Sequence, residues 1–121
     1  MIRVLIADDH PLLRTGLRHV LSQDPDLTVA GEAENAGQVL RSVEEQPYDI
    51  VVLTGSVPVL PRALLESLSP GGRVFAVIGE APVMTAKILT CTAPGAFRTA
   101  ELFETLLAPL ANCERPSRFI F

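Results

Sequence analysis

Short apolar runs alternate with amphipathic stretches along the whole chain. Ile2–Ala7 is apolar apart from Arg3 and short enough to be a buried strand. After Asp8-Asp9-His10, Pro11 opens a stretch in which Leu12, Leu13, Leu17, Val20 and Leu21 recur at helical spacing. Proline at a first helical position after a polar residue predicts a helix start, and Asp24-Pro25 ends the helix near Gln23. Leu27–Ala33 predicts a second strand, more polar, as suits a sheet edge. Asn35 then caps a helix over Ala36–Glu45 whose stripe is Val39, Leu40 and Val43. Asp49–Leu53 carries the unbroken β-branched run Ile50-Val51-Val52-Leu53, the pattern of a strand covered on both faces. It stops at the small polar segment Thr54-Gly55-Ser56, followed by Pro58. Beyond it the pattern predicts a helix over Leu60–Leu68, a strand over Val74–Ile78 and a threonine-weakened helix over Pro82–Cys91. A short strand at Gly95–Arg98 and an apolar helix over Ala100–Asn112 complete it.

Strict strand–helix alternation with short connections predicts an α/β domain of the flavodoxin-like, doubly wound kind. Its five-stranded parallel sheet would have the order 2-1-3-4-5, with helices on both faces. The Asp49–Leu53 strand then lies in the middle. Ligands of such sheets bind at the carboxyl ends of the strands, so the expected crevice gathers Asp8, Asp9, Thr54, Gly55, Ser56 and Gly79.

Length and charge narrow the picture further. At 121 residues the chain is one domain, and its net charge of −4 argues against this segment gripping nucleic acid by itself. No apolar run approaches the roughly 20 residues of a membrane span, and Met1-Ile2-Arg3 leads straight into a strand rather than a secretory signal. A cytoplasmic protein is expected. Cys91 and Cys113 lack metal-ligand spacing and read as reduced structural thiols. Lys87 is the only lysine, and no aspartate follows Asp49.

The run IRVLIADDHPLLRTGL, with Asp8-Asp9-His10-Pro11, Arg14 and Gly16-Leu17, resembles the start of a response-regulator receiver domain of the LuxR/NarL type. The likeness continues through LTVAGEAENAGQVL and YDIVVL to Pro58, spans roughly residues 2–112, and weakens after Pro61. It implies a CheY-like fold. It also implies two acidic residues after strand one and an aspartate ending strand three, which together hold Mg²⁺ while the aspartate accepts a phosphoryl group from a histidine kinase. A hydroxyl ending strand four and a lysine ending strand five complete the family's site.

On this chain the resemblance assigns Asp8 and Asp9 to the acidic pair and Thr54 to the phosphoacceptor position. The strand-four hydroxyl falls at Ile78, or at Gly79 one residue on; Phe97 matches the strand-five aromatic, and the lysine position falls at Ala100. Three of the five site groups are therefore replaced. A neutral hydroxyl without a base is a poor nucleophile toward a phosphoryl donor, and two carboxylates hold Mg²⁺ less well than three. The expectation is a degenerate, phosphorylation-independent pseudo-receiver over residues 1–112, not an enzyme and without a cofactor. Any metal site would be a weak residual one at Asp8 and Asp9, which on local grounds read equally as helix caps.

Residues 113–121 read as the start of a linker or tail. The resemblance implies DNA binding only through a C-terminal helix-turn-helix domain, which this sequence does not contain, and a homodimer. The candidate dimer face is the surplus apolar surface of the last helix, Leu102, Phe103, Leu106 and Leu107. A small apolar ligand in the altered crevice is a further expectation. The alternatives from other classes are a stand-alone protein-interaction module and a small flavodoxin-like nucleotide-binding protein. The acidic loop opposes the latter, because phosphate loops present glycines and backbone N–H groups there.

Overall fold

The computed structural model describes residues 1–80 and 83–105. In chain order its elements are β1 (Ile2–Ala7), α1 (Pro11–Ser22), β2 (Leu27–Ala33), α2 (Ala36–Glu45), β3 (Ile50–Val57), α3 (Arg62–Glu66), β4 (Arg73–Glu80), β5 (Val83–Ala93) and β6 (Ala96–Thr105). The strands form one sheet in the order β2-β1-β3-β4-β5-β6. β1 pairs in parallel with β2 and β3, and β3 with β4.

The doubly wound α/β architecture and the central position of β3 are as the alternation predicts. Right-handed crossovers put α1 on one face, where it packs on β1 and β2, and α2 and α3 on the other. The main core lies under α2 and α3. There Leu5, Val51, Leu53 and Val74 meet Val39 of α2 and Leu64 of α3, each 3% exposed or less. α2 starts where Asn35 accepts a hydrogen bond from the Gln38 N–H at 2.9 Å, the expected N-cap. α1 is less well covered. Leu12, Leu13 and Val20 are 85%, 47% and 62% exposed, while Arg14 is buried.

The second half corrects the expected sheet. It has six strands rather than five, and β5 and β6 run antiparallel to their neighbours. Residues 83–91, expected as a helix, are strand β5. Their Val, Ile and Thr content disfavours a helix, and the alternation of Met84, Ala86 and Ile88 puts one face of a strand toward the sheet. Residues 100–105, expected as the start of a last helix, continue strand β6. Positions 106–112 of that expectation, with Leu106 and Leu107, lie outside the described residues, as do Cys113 and the tail.

Two turns reverse the chain. Ala93 pairs with Ala96 across Pro94-Gly95, and Gly95 holds φ at +77°. Proline followed by a glycine with positive φ is the pattern of a type II turn. Gly79, at φ +129°, precedes the β4–β5 reversal, in which Glu80 pairs with Val83. A side chain at Gly79 would meet the Val83 carbonyl oxygen at 2.6 Å.

Candidate functional site at the end of β3

β3 delivers Thr54 through a distortion. Val52 pairs with Phe75 and Ser56 with Val77, so Leu53, Thr54 and Gly55 stand against Ala76 alone. An irregularity of this kind re-aims side chains next to a crevice. The Thr54 hydroxyl turns toward β1, where its proton is shared between the carbonyl of Ala7, 3.1 Å away, and the Oδ2 carboxylate oxygen of Asp8.

Asp8 is the anchor of the site. It is 2% exposed, and its backbone N–H donates to the Ala33 carbonyl at 3.0 Å, tying the loop after β1 to the end of β2. Its Oδ1 accepts the His10 N–H at 2.6 Å, a turn in which the carboxylate satisfies the backbone two residues on. His10 Nδ1 stands 3.1 Å from Asp8 Oδ1 and 2.9 Å from Asp9 Oδ1. The residue at the N-cap of α1 is His10, whose side chain makes no cap hydrogen bond.

Burial pulls the Asp8 pKa upward. The hydrogen bonds from Thr54 and from the His10 backbone and ring, with the His10 charge, outweigh it and hold the carboxyl below its ordinary value of 3.8. A depressed folded pKa stabilises the fold above the unfolded value, and that stability is lost as pH falls through the folded value. Thr54→Val removes the first-named of these hydrogen bonds. Its acid-unfolding midpoint should therefore move to higher pH than that of the wild type, read by circular dichroism in an acid titration; an unchanged midpoint would mean Thr54 does not hold the charge on Asp8.

Arg14 is the residue that sequence reasoning used only as part of a motif. Its Nη1 donates to the Asp8 carbonyl at 2.5 Å, its Nε lies 3.3 Å from Glu32 Oε1, and its Nη2 lies 3.4 Å from Glu34 Oε1. Arg18, one turn on, also reaches Glu32, at 2.6 Å. The available signal was an arginine pair at i,i+4 on a helix adjoining a strand that ends in glutamates.

The structure brings Asp8 and Thr54 into direct contact, and Asp9 joins them through His10. Ser56 is buried below Thr54 in β3, and Gly79 serves the β4–β5 reversal. Ile78 pairs with Val57 and packs against the main core. Phe97 and Ala100 lie on β6, separated from β3 by β4 and β5; Phe97 packs on the core beside Cys91, and Ala100 pairs with Ile88. Lys87 faces Glu101 of β6 at 3.6 Å, not the crevice. Leu102 and Phe103 are exposed on β6, a strand edge rather than a helix face.

Asp8, Asp9 and His10 offer one ligand atom each within 4.8 Å of one another. They do not fit the Mg²⁺ ion of the receiver site. Both Asp8 oxygens are already engaged, a hydroxyl stands where a third carboxylate belongs, and the remaining donor is an imidazole nitrogen, whereas Mg²⁺ demands octahedral oxygen ligands.

Comparison with known proteins finds two families that match overlapping parts of the chain. Residues 4–61 match the response regulator receiver domain, and residues 37–115 match the protein-L-isoaspartate(D-aspartate) O-methyltransferase (PCMT) family. The chain belongs to both families. The chain resembles the nitrate/nitrite response regulator protein NarL of Escherichia coli, 38% identical over 90 residues, covering 69% of this chain and 42% of the relative. Response regulator GacA of Pseudomonas viridiflava is 32% identical over 127 aligned positions, covering the whole chain and 56% of the relative. The chain thus spans about half the length of the curated relatives it matches. For the PCMT half, a solved PCMT of Plasmodium falciparum in complex with S-adenosyl-L-homocysteine shares the fold with a TM-score of 0.60, covering 90% of this chain and 65% of that one at 13% identity.

The part of the sheet that departs from the expected one falls inside the PCMT match. The antiparallel β5 and β6 lie wholly inside the PCMT match and beyond the end of the receiver match at residue 61. Ile78, Gly79, Phe97 and Ala100 were assigned by counting onward through a receiver, and all four lie past that end.

Proposed function

We propose that the chain is a receiver-like regulatory module of the NarL/LuxR type that works without aspartyl phosphorylation. The observation that carries this is Thr54. It stands where the family's acceptor carboxylate belongs, and its hydroxyl is committed to Asp8 and Ala7. Asp8, whose carboxyl is held below its ordinary pKa, is a weak base toward that hydroxyl, and its charge repels a phosphoryl donor. Incubation with acetyl phosphate and Mg²⁺ should leave the intact mass unchanged. A stoichiometric, acid-labile adduct would falsify the reading.

In this reading residues 1–112 form the module and residues 113–121 begin a linker. It acts in the cytoplasm as a homodimer through protein contacts, with the exposed Leu102 and Phe103 on the β6 edge as part of the contact surface. DNA binding, where it occurs, belongs to a further domain of the kind the longer relatives have room for. Among the described residues no helix is long and apolar enough to cross a membrane, in keeping with this setting. A stand-alone interaction module remains the alternative without DNA.

The PCMT match favours a second reading, methyl transfer. Against it stands the loop after β1, one wall of the crevice in an open α/β sheet. That loop precedes the PCMT match, which starts at residue 37. It reads Asp8-Asp9-His10-Pro11, with no glycine to admit a cofactor close to the backbone, and Asp8 is fully occupied by Thr54 and His10. Calorimetric titration with S-adenosylmethionine should show no saturable binding. Micromolar binding, with methylation of an isoaspartyl peptide, would instead establish the methyltransferase.

A further inference from the structure

On the face of the sheet that carries α1, the helix covers β1 and β2 and leaves the starts of β3 and β4, with the later part of the antiparallel β5 beside them, without a described helix. Ile50, Phe75 and Ile88 are half-buried there, Phe75 pairs with Ile88, and Ile50 pairs with Arg73. Together these four residues line an open cavity of about 150 Å³. Its floor is two isoleucines and a phenylalanine, apolar surface on the scale of one aromatic ring.

Arg73 supplies the one charge. Its backbone N–H is spent on the Asp49 carbonyl at 2.9 Å, which fixes the start of β4. Among the described residues, no carboxylate stands within ion-pair distance of its guanidinium. A planar cation at the lip of an apolar, ring-sized cavity is complementary to a ligand with an aromatic body and a carboxylate edge.

We propose that this cavity is a binding site for a small aromatic carboxylate. The ring occupies the space between Ile50, Phe75 and Ile88, and the carboxylate meets the Arg73 guanidinium. The site lies at the opposite end of β3 from Thr54, so it is separate from the Asp8–Thr54 crevice. Only its regulatory meaning, a ligand in place of phosphate as input to β3, rests on the function proposed above.

Benzoate is the probe. Titrated into the full chain and followed by heteronuclear NMR, it should shift the amide resonances of Ile50, Phe75 and Ile88 saturably in the millimolar range, as expected for so small a ligand. Arg73→Gln should weaken binding about tenfold, the scale of one charge-assisted pair. Benzyl alcohol, of the same shape without the charge, should bind weaker by a similar factor. Ile88→Trp should fill the cavity and abolish binding, with circular dichroism showing that the fold is kept. No localised shift with benzoate overturns the proposal, and so does equal binding by Arg73→Gln, an exposed position whose replacement leaves the fold intact. No phosphoryl donor or Mg²⁺ enters the assay, so a failure here is distinct from the appearance of a phosphoryl adduct at the other site.

Discussion

Thr54→Asp should destabilise the protein by about 2–4 kcal/mol at neutral pH in the absence of divalent ions. The new carboxylate enters beside Asp8, which is 2% exposed and loses the Thr54 hydroxyl that helps hold its charge. Two carboxylates in contact cannot both stay ionised cheaply, so one of them takes up a proton at a pH well above the ordinary carboxylate range. The loss should therefore shrink on mild acidification, opposite to the trend of the wild type, whose Asp8 contribution disappears as pH falls through its depressed pKa. Mg²⁺ should recover much of the stability, because Asp8, Asp9 and the new carboxylate make the oxygen-rich set the wild type lacks. Urea denaturation at neutral and mildly acid pH, with and without Mg²⁺, measures all three effects. A variant as stable as wild type without Mg²⁺ would mean that the Thr54–Asp8 contact is not close. Acetyl phosphate should still leave the mass of the Mg²⁺-loaded variant unchanged. Lys87, the chain's only lysine, faces Glu101 on the far side of β4, so it does not ion-pair with an acyl phosphate at that position.

Gly79→Ala should cost about 2–3 kcal/mol and loosen β5 and β6 before the rest of the sheet. The backbone at Gly79 sits at φ +129°, where L side chains are strained, and the added Cβ would lie 2.6 Å from the Val83 oxygen and 3.2 Å from the Met84 Cα. Both neighbours are backbone and cannot swing aside. Relief requires the β4–β5 reversal to open, and β6 is attached to the sheet only through β5. Hydrogen exchange should therefore accelerate along residues 83–105 more than in β1 or β2. Gly16→Ala is the control. It lies inside α1 with nothing within 4 Å of the new Cβ, and should stabilise the protein by about 0.5–1 kcal/mol. If Gly79→Ala exchanges uniformly, the antiparallel pair is not held by that turn.

How far the fold could be read from the sequence changes near residue 57. Up to there periodicity alone places the elements: the expected bounds of β1, β2 and α2 match those observed, because each has an apolar pattern of one period and a turn or cap at its ends. β3 runs on to Val57 instead of stopping at Leu53, since Thr54-Gly55-Ser56 reads as a loop locally but pairs with β4 after a register shift. In β5 the alternation of Met84, Ala86 and Ile88 was present, yet the strand–helix alternation of the preceding units sets the expectation of a helix there. Pro94-Gly95 was the decisive local clue. It is a turn between two strands, and once it is recognised the segments on either side must pair with each other.

The candidate site divides in the same way. That Thr54 follows the apolar run Ile50–Leu53, that no aspartate follows Asp49, and that Lys87 is the sole lysine are facts of composition and spacing. Set beside the family resemblance, they are what the proposal of a phosphorylation-independent receiver starts from. The sequence likewise determined the receiver character of the first half and the parallel order of its strands, because each of those elements declares itself within a dozen residues. Only the tertiary structure decided that the Thr54 hydroxyl donates to Asp8 across 46 residues of chain, and that Phe97 and Ala100 stand on an edge strand instead of beside Thr54. It also decided that β5 runs against the parallel strands and that β6 returns along them. Strand direction and site assembly depend on which distant backbone groups pair, and a local hydrophobic pattern is the same whichever way a strand is traversed.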